Sequence, residues 1–215
     1  ISGPAKTNGV AVSTIEQGGH ENSPYPEYGH HTIRKNEIYD AYAGIHNRGS
    51  HTMLEYNHVH DVLNKIEVGN GDCIGSAADY VTLRFNVVHD CGDDGVDLSR
   101  GQVYENWTRG PWYNIFEYNT VYNNGKCYQG VCGDGSGVKT GTYDSGLVTG
   151  GGAFVVRYNL VFGNENRGFD TAGNYRRGGE DPEVPPDVHY GNIVFGHTVD
   201  GYYAESNDII LMNNI

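Results

Sequence analysis

The sequence predicts an all-β solenoid, a single chain wound as a parallel β-helix with loop insertions. Three observations carry this prediction. An asparagine flanked by apolar residues recurs along the chain, the positions around it align into chemically uniform columns, and a glycine-led strand follows it at a regular place. Helical periodicity is nowhere convincing.

Residues 1–29 show no clear period and read as an irregular N-terminal segment, a cap or the remnant of earlier coils. From residue 30 to 215 the repeat takes over. Its asparagines are Asn36, Asn57, Asn86, Asn119, Asn159 and Asn192, with a last partial copy at Asn213, spaced by 21, 29, 33, 40, 33 and 21 residues. The shortest spacing suits one coil, and the longer ones predict surface insertions near 62–71, 100–112, 126–135, 142–152 and 175–187. Coils of a β-helix stack about 4.8 Å apart, so equivalent positions touch.

Two residues past each asparagine the column reads Ile38, Val59, Val88, Val121, Val161 and Val194, an inward core stack. The next position reads Tyr39, His60, His89, Tyr122, Phe162 and Phe195, an aromatic stack. Two residues before it, Arg34, Glu55, Arg84, Glu117 and Arg157 alternate in sign and predict an outward charge ladder. The asparagines themselves are expected to form an amide ladder inside a turn. The following strands begin at Gly44, Gly95, Gly137, Gly168 and Gly201, with Cys73 in the glycine place of the Asn57 coil. The chain ends within an apparent strand, which predicts a piece of a longer solenoid.

Composition narrows the function. A net charge of −13 supplies no basic face, so nucleic acid is excluded as a partner. No apolar run is long enough to span a membrane as a helix. Of the four cysteines, Cys127 and Cys132 bracket a short loop and could bridge in an oxidising compartment. We expect a secreted or extracellular protein, monomeric or stacked end to end as a fibre.

The chemistry concentrates in Gly92–Asp97. In the stacked frame Asp72 and Asp94 share a column on successive coils, with Asp93 and Asp97 beside them. Four converging carboxylates predict an oxygen-ligated cation, for which Ca²⁺ is suited. The plainer alternative is an acidic edge that discourages stacking. Lys139 falls in the column of Asp97, and Asp170 follows it. A lysine beside a bound dication should lose its proton more readily and can serve as a general base. The plainer alternative is a surface lysine paired with Asp97 or Asp170.

Asn70-Gly71-Asp72, the stretch Gly92–Leu98, Asn123-Asn124-Gly125, Gly137-Val138-Lys139 and Arg167-Gly168-Phe169-Asp170 with Asn174 together resemble family 9 polysaccharide lyases, across residues 56–174. The resemblance implies a right-handed parallel β-helix and β-elimination on polygalacturonate or a similar acidic polysaccharide. By position it implies Ca²⁺ on Asp72, Asp93, Asp94 and Asp97, with Lys139 as the Brønsted base. Arg84, Arg100, Arg109, Arg167 and Arg176 are candidates to hold the polyanion, with Asp170 beside them. Two rival readings remain open. One is a polygalacturonase-like glycoside hydrolase, which works with an acid–base pair of carboxylates. The other is a non-catalytic, glycan-binding or fibre-forming solenoid.

Overall fold

The computed structural model describes residues 10–14, 29–63, 71–99, 102–104, 107–109, 113–127, 130, 132–141, 152–172, 185–204 and 209–215. All regular structure among them is β. Three parallel sheets run the length of the molecule, and the chain visits them in turn. The first sheet holds Thr32–Arg34, Met53–Glu55, Thr82–Arg84, Ile115–Glu117, Val155–Arg157, Asp187–Tyr190 and Ile209–Met212. The second holds Glu37–Ile38, His58–His60, Val87–His89, Thr120–Tyr122, Leu160–Phe162 and Ile193–Phe195. The third holds Val10–Thr14, Ala43–Asn47, Ile74–Ser76, Val96–Asp97, Val138–Gly141, Phe169–Ala172 and Tyr202–Ala204.

The apolar residues on the two sides of each asparagine thus lie on separate short strands. A coil therefore has three strands, two about the asparagine and the glycine-led one that follows. Each sheet sends one column inward. Leu54, Leu83, Phe116 and Val156 line the first, Val59, Val88, Val121 and Val161 the second, and Ile45, Ile74, Val96, Val138 and Phe169 the third. All are at most 1% exposed, so a continuous dry core runs along the axis. Strand Val10–Thr14 pairs with Ala43–Asn47 in the same register, so the third sheet begins inside the segment that shows no period in sequence.

The turn from the first sheet to the second is filled by asparagine. There the asparagine carboxamides stack: Asn119 Nδ2 donates to Asn159 Oδ1 at 3.2 Å and to the Leu83 carbonyl at 3.0 Å. The backbone N–H of Asn86 and its Nδ2 both donate back to Asn119 Oδ1. The ladder ends on Asn214, not on Asn213. Asn192 donates to Asn214 Oδ1, while Asn213 takes the preceding left-handed position (φ 50°) that Tyr118 and Tyr158 occupy elsewhere. With two asparagines in tandem, the turn conformation rather than the residue type sets the register.

The aromatic column is present as expected, with ring centroids 4.6–5.5 Å apart from Tyr39 to Phe195. The charge ladder is not outward throughout. Glu55 and Glu117 are buried, and Arg84 and Arg157 lie over them with contacts of 2.9 Å and 2.6 Å. An arginine paired with a buried carboxylate in this way forms a charge-assisted hydrogen bond. Of the insertions, residues 102–104 and 107–109 form an antiparallel hairpin. Disulfides join Cys73 to Cys91 and Cys127 to Cys132.

Candidate functional site

The third sheet lines up His46, Gly75, Asp97, Lys139, Asp170 and Tyr203 on successive rungs. Just before this sheet, the turn of each rung brings up Asp72 and then Asp93-Asp94. The Cys73 N–H donates to the Asp94 carbonyl at 3.2 Å, which fixes Asp72 and Asp94 as neighbours across rungs. Sequence positions 22 residues apart are thereby made adjacent.

The four expected metal-ligating carboxylates divide into two overlapping groups. Asp72, Asp94 and Asp97 are all buried and present oxygens within 4.8 Å of one another. Asp93 lies on the other side of Asp94, grouped with Asp94 and Asp134. Its Oδ1 accepts the Asp134 N–H at 2.8 Å, so it braces the incoming loop. Asp94 Oδ1 accepts the Ser136 N–H at 2.8 Å, and Asp97 Oδ1 accepts from the N–H and hydroxyl of Ser99. Asp93, Asp94 and Asp97 are thus each oriented by a backbone donor. The donor set is all oxygen and anionic, the chemistry that a hard dication takes.

Lys139 is 6% exposed and reaches into this cluster, 2.7 Å from Asp94 and 2.5 Å from Asp134. Burial works to lower its pKa, but attraction to Asp94, Asp134 and Asp97 outweighs burial and holds it well above the usual lysine range. Asp94 is driven the opposite way from an ordinary paired acid. Burial raises its pKa, Lys139 opposes the rise, and the neighbouring carboxylates of Asp72, Asp134 and Asp93 reinforce it. Five carboxylates crowding one ammonium are under-neutralised. A second positive charge in the cluster would relieve both effects.

Asp134 is the participant that sequence reasoning missed. It falls inside residues 126–135, expected to be an insertion, yet the loop folds back over the site. Its signal was Gly133-Asp134-Gly135-Ser136-Gly137, which resembles Gly92–Gly95 one rung away.

The polyanion-binding candidates are scattered. Arg167 adjoins the site: its Nη1 donates to Asp170 at 2.8 Å and its guanidinium lies 3.5 Å from the centroid of the Tyr203 ring. Its Nε is buried with no hydrogen-bond partner among the described residues. Asp170 is buried beside Lys139 in the column, and burial raises its pKa against the pull of Arg167. Arg84 lies on the first sheet, engaged with Glu55, and does not join them. Arg109 lies in the hairpin, and Arg100 and Arg176 lie outside the described residues.

Among the described residues no helix is long and apolar enough to cross a membrane. Comparison with curated proteins and with solved structures finds no match. A family model described as a right-handed β-helix region matches residues 8–177, which include every rung that supplies the site. That match and the three stacked parallel sheets agree. The chain belongs to the right-handed β-helix family.

Proposed function

We propose that the protein is a Ca²⁺-dependent polysaccharide lyase that cleaves a uronate-containing, pectate-like polysaccharide by β-elimination. The observation that carries this reading is the buried trio Asp72, Asp94 and Asp97, with donor oxygens within 4.8 Å, on the rungs next to a buried lysine. Asp72, Asp94 and Asp97 would hold Ca²⁺, with Asp93 bracing the loop that carries Asp134. When bound, the ion supplies positive charge that draws a uronate carboxylate and acidifies its C5 proton.

Lys139 is the base. Freed of its proton and of its hold on Asp94, its Nζ takes the C5 proton. The C5–H electron pair becomes the C4–C5 double bond, and the C4–O bond breaks. The departing glycosidic oxygen is protonated by solvent. Asp170 keeps Arg167 in place, so that its guanidinium can meet a second uronate carboxylate beside the site. Secretion follows from such a substrate and suits two disulfides.

Ultraviolet absorbance on polygalacturonate tests the reading, because only elimination makes a conjugated double bond. We expect Ca²⁺-dependent absorbance that disappears in Lys139→Ala. New reducing ends without absorbance would assign the site to a hydrolase. Binding without cleavage would leave a glycan-binding solenoid.

A further inference from the structure

We propose that Glu37, His58, His60 and His89, on the outer face of the second sheet, form a second metal site, one for a borderline transition-metal dication such as Zn²⁺. The residues come from three consecutive rungs: Glu37↔His58 and His60↔His89 are register pairs. Glu37, His58 and His60 each offer a donor atom within 4.8 Å of the other two. His89 joins them through a 2.8 Å approach of its Nε2 to Nε2 of His58. His60 Nε2 stands 3.6 Å from Glu37 Oε1. Ligands about 2.0–2.1 Å from a tetrahedral zinc stand about 3.3 Å apart, between these two separations.

The aromatic column accounts for only part of this. A phenyl ring stacks as well as an imidazole, and Phe162 and Phe195 fill the same column further along. Stacking does not explain the carboxylates behind the rings. Asp61 Oδ2 lies 2.7 Å from His60 Nδ1, and Asp90 Oδ2 lies 2.6 Å from His89 Nδ1. A carboxylate on Nδ1 fixes the tautomer that leaves the Nε2 lone pair for a metal, the usual second sphere of a histidine–zinc site. Asp90 is itself tied down by an ion pair with Lys126. Most directly, His60 Nε2 is buried with no hydrogen-bond partner among the described residues. A buried imidazole nitrogen without a partner is costly unless something binds it.

The stacked rings of His60 and His89 are 5.1 Å apart, so one must tilt to complete a four-ligand set. His58, with its side chain 43% exposed, and Glu37 at 63% give the ion a path from solvent. A bound ion would clip three rungs together. This site is independent of the lyase reading, because its nitrogen donors do not suit Ca²⁺.

Calorimetric titration of ZnCl₂ into the whole protein, with Ca²⁺ saturating the oxygen sites, tests it. We expect one Zn²⁺ per chain and a higher melting temperature. His58→Gln should weaken binding by at least about 10-fold, and Asp61→Asn, which removes only the supporting carboxylate, by about 10–100-fold. Glu37→Gln changes an exposed side chain and keeps the test open should a histidine variant not fold. CoCl₂ in place of ZnCl₂ should give tetrahedral visible absorbance that Glu37→Gln alters. Absence of stoichiometric Zn²⁺ binding, or binding unchanged by His58→Gln and Glu37→Gln but lost in Asp94→Asn, overturns the proposal.

Discussion

Lys139 behaves as the cation of its own site. Its ammonium neutralises part of a carboxylate cluster that is otherwise buried and repulsive, so under the proposed lyase reading it must be displaced before it can act as a base. Lys139→Ala should lower kcat by about 10²–10⁴-fold, the usual contribution of a positioned base. It should also make Ca²⁺ raise the melting temperature more than in the parent protein, because no ammonium competes for Asp94; thermal melts with Ca²⁺ and with chelator compare the two. His189 gives a second prediction at this scale. It lies in the inward column of the first sheet, packed against Phe169 and Tyr202, and burial lowers its pKa to about 3. An unfolded histidine titrates near 6.5. Above that pH His189 is neutral in both states and adds no slope. Between about 6.5 and about 3 only the unfolded chain takes the proton, so this residue costs stability as pH falls, by about 1.4 kcal/mol per unit. His189→Leu should remove that part of the slope in urea melts across pH 4–7.

At the scale of elements, the turns rather than the strands specify the fold. Strands of two to five residues carry little register information, whereas the carboxamide of Asn119 fixes three rungs at once. Asn119→Ala would strand several buried partners and should cost about 3 kcal/mol or more, since each unsatisfied group costs about 1–3 kcal/mol. Asn36→Ala, at an exposed rung, should cost less; equilibrium denaturation of both variants decides. A coupled pair governs the turn beside the site. A Cβ on Gly95 would meet Asn124 Nδ2 at 2.5 Å, and one on Gly137 would meet Asn164 Nδ2 at 2.6 Å. In the column of those asparagines the preceding rung carries Cys91, and the position beneath is Cys73. Glycine under asparagine and cysteine under cysteine are two solutions to one space. Cys91→Asn alone should therefore destabilise more than Cys73→Gly with Cys91→Asn, which restores the glycine–asparagine pair; melting temperatures test the order.

At the scale of the molecule, the coil stacks residues from Asp72 to Asp170 into one patch and carries a net charge of −13. A polyanionic substrate meets that field unfavourably without a cation. Chelation should therefore abolish turnover, and raising the pH should not restore it, because the carboxylates hold Lys139 protonated far above its ordinary range. Ultraviolet rates with and without chelator, from neutral to alkaline pH, test this.

Much of this architecture is legible in the chain itself. Repetition makes local pattern report on long-range contact, so the core columns, the aromatic stack, the amide ladder and the adjacency of Asp72 to Asp94 follow from spacing alone. The tertiary structure decided what repetition does not encode. It divided the acids into two groups, because Asp93 turns to meet a loop whose length breaks the repeat, and it brought Asp134 in on that loop. It buried Glu55 and Glu117 beneath arginines, a facing that alternating signs along a column do not encode. It moved the last ladder position from Asn213 to Asn214, where backbone conformation outweighs residue identity. It also closed Glu37 and three histidines into one cluster, a grouping that depends on side-chain rotamers across three rungs and leaves no period in the sequence.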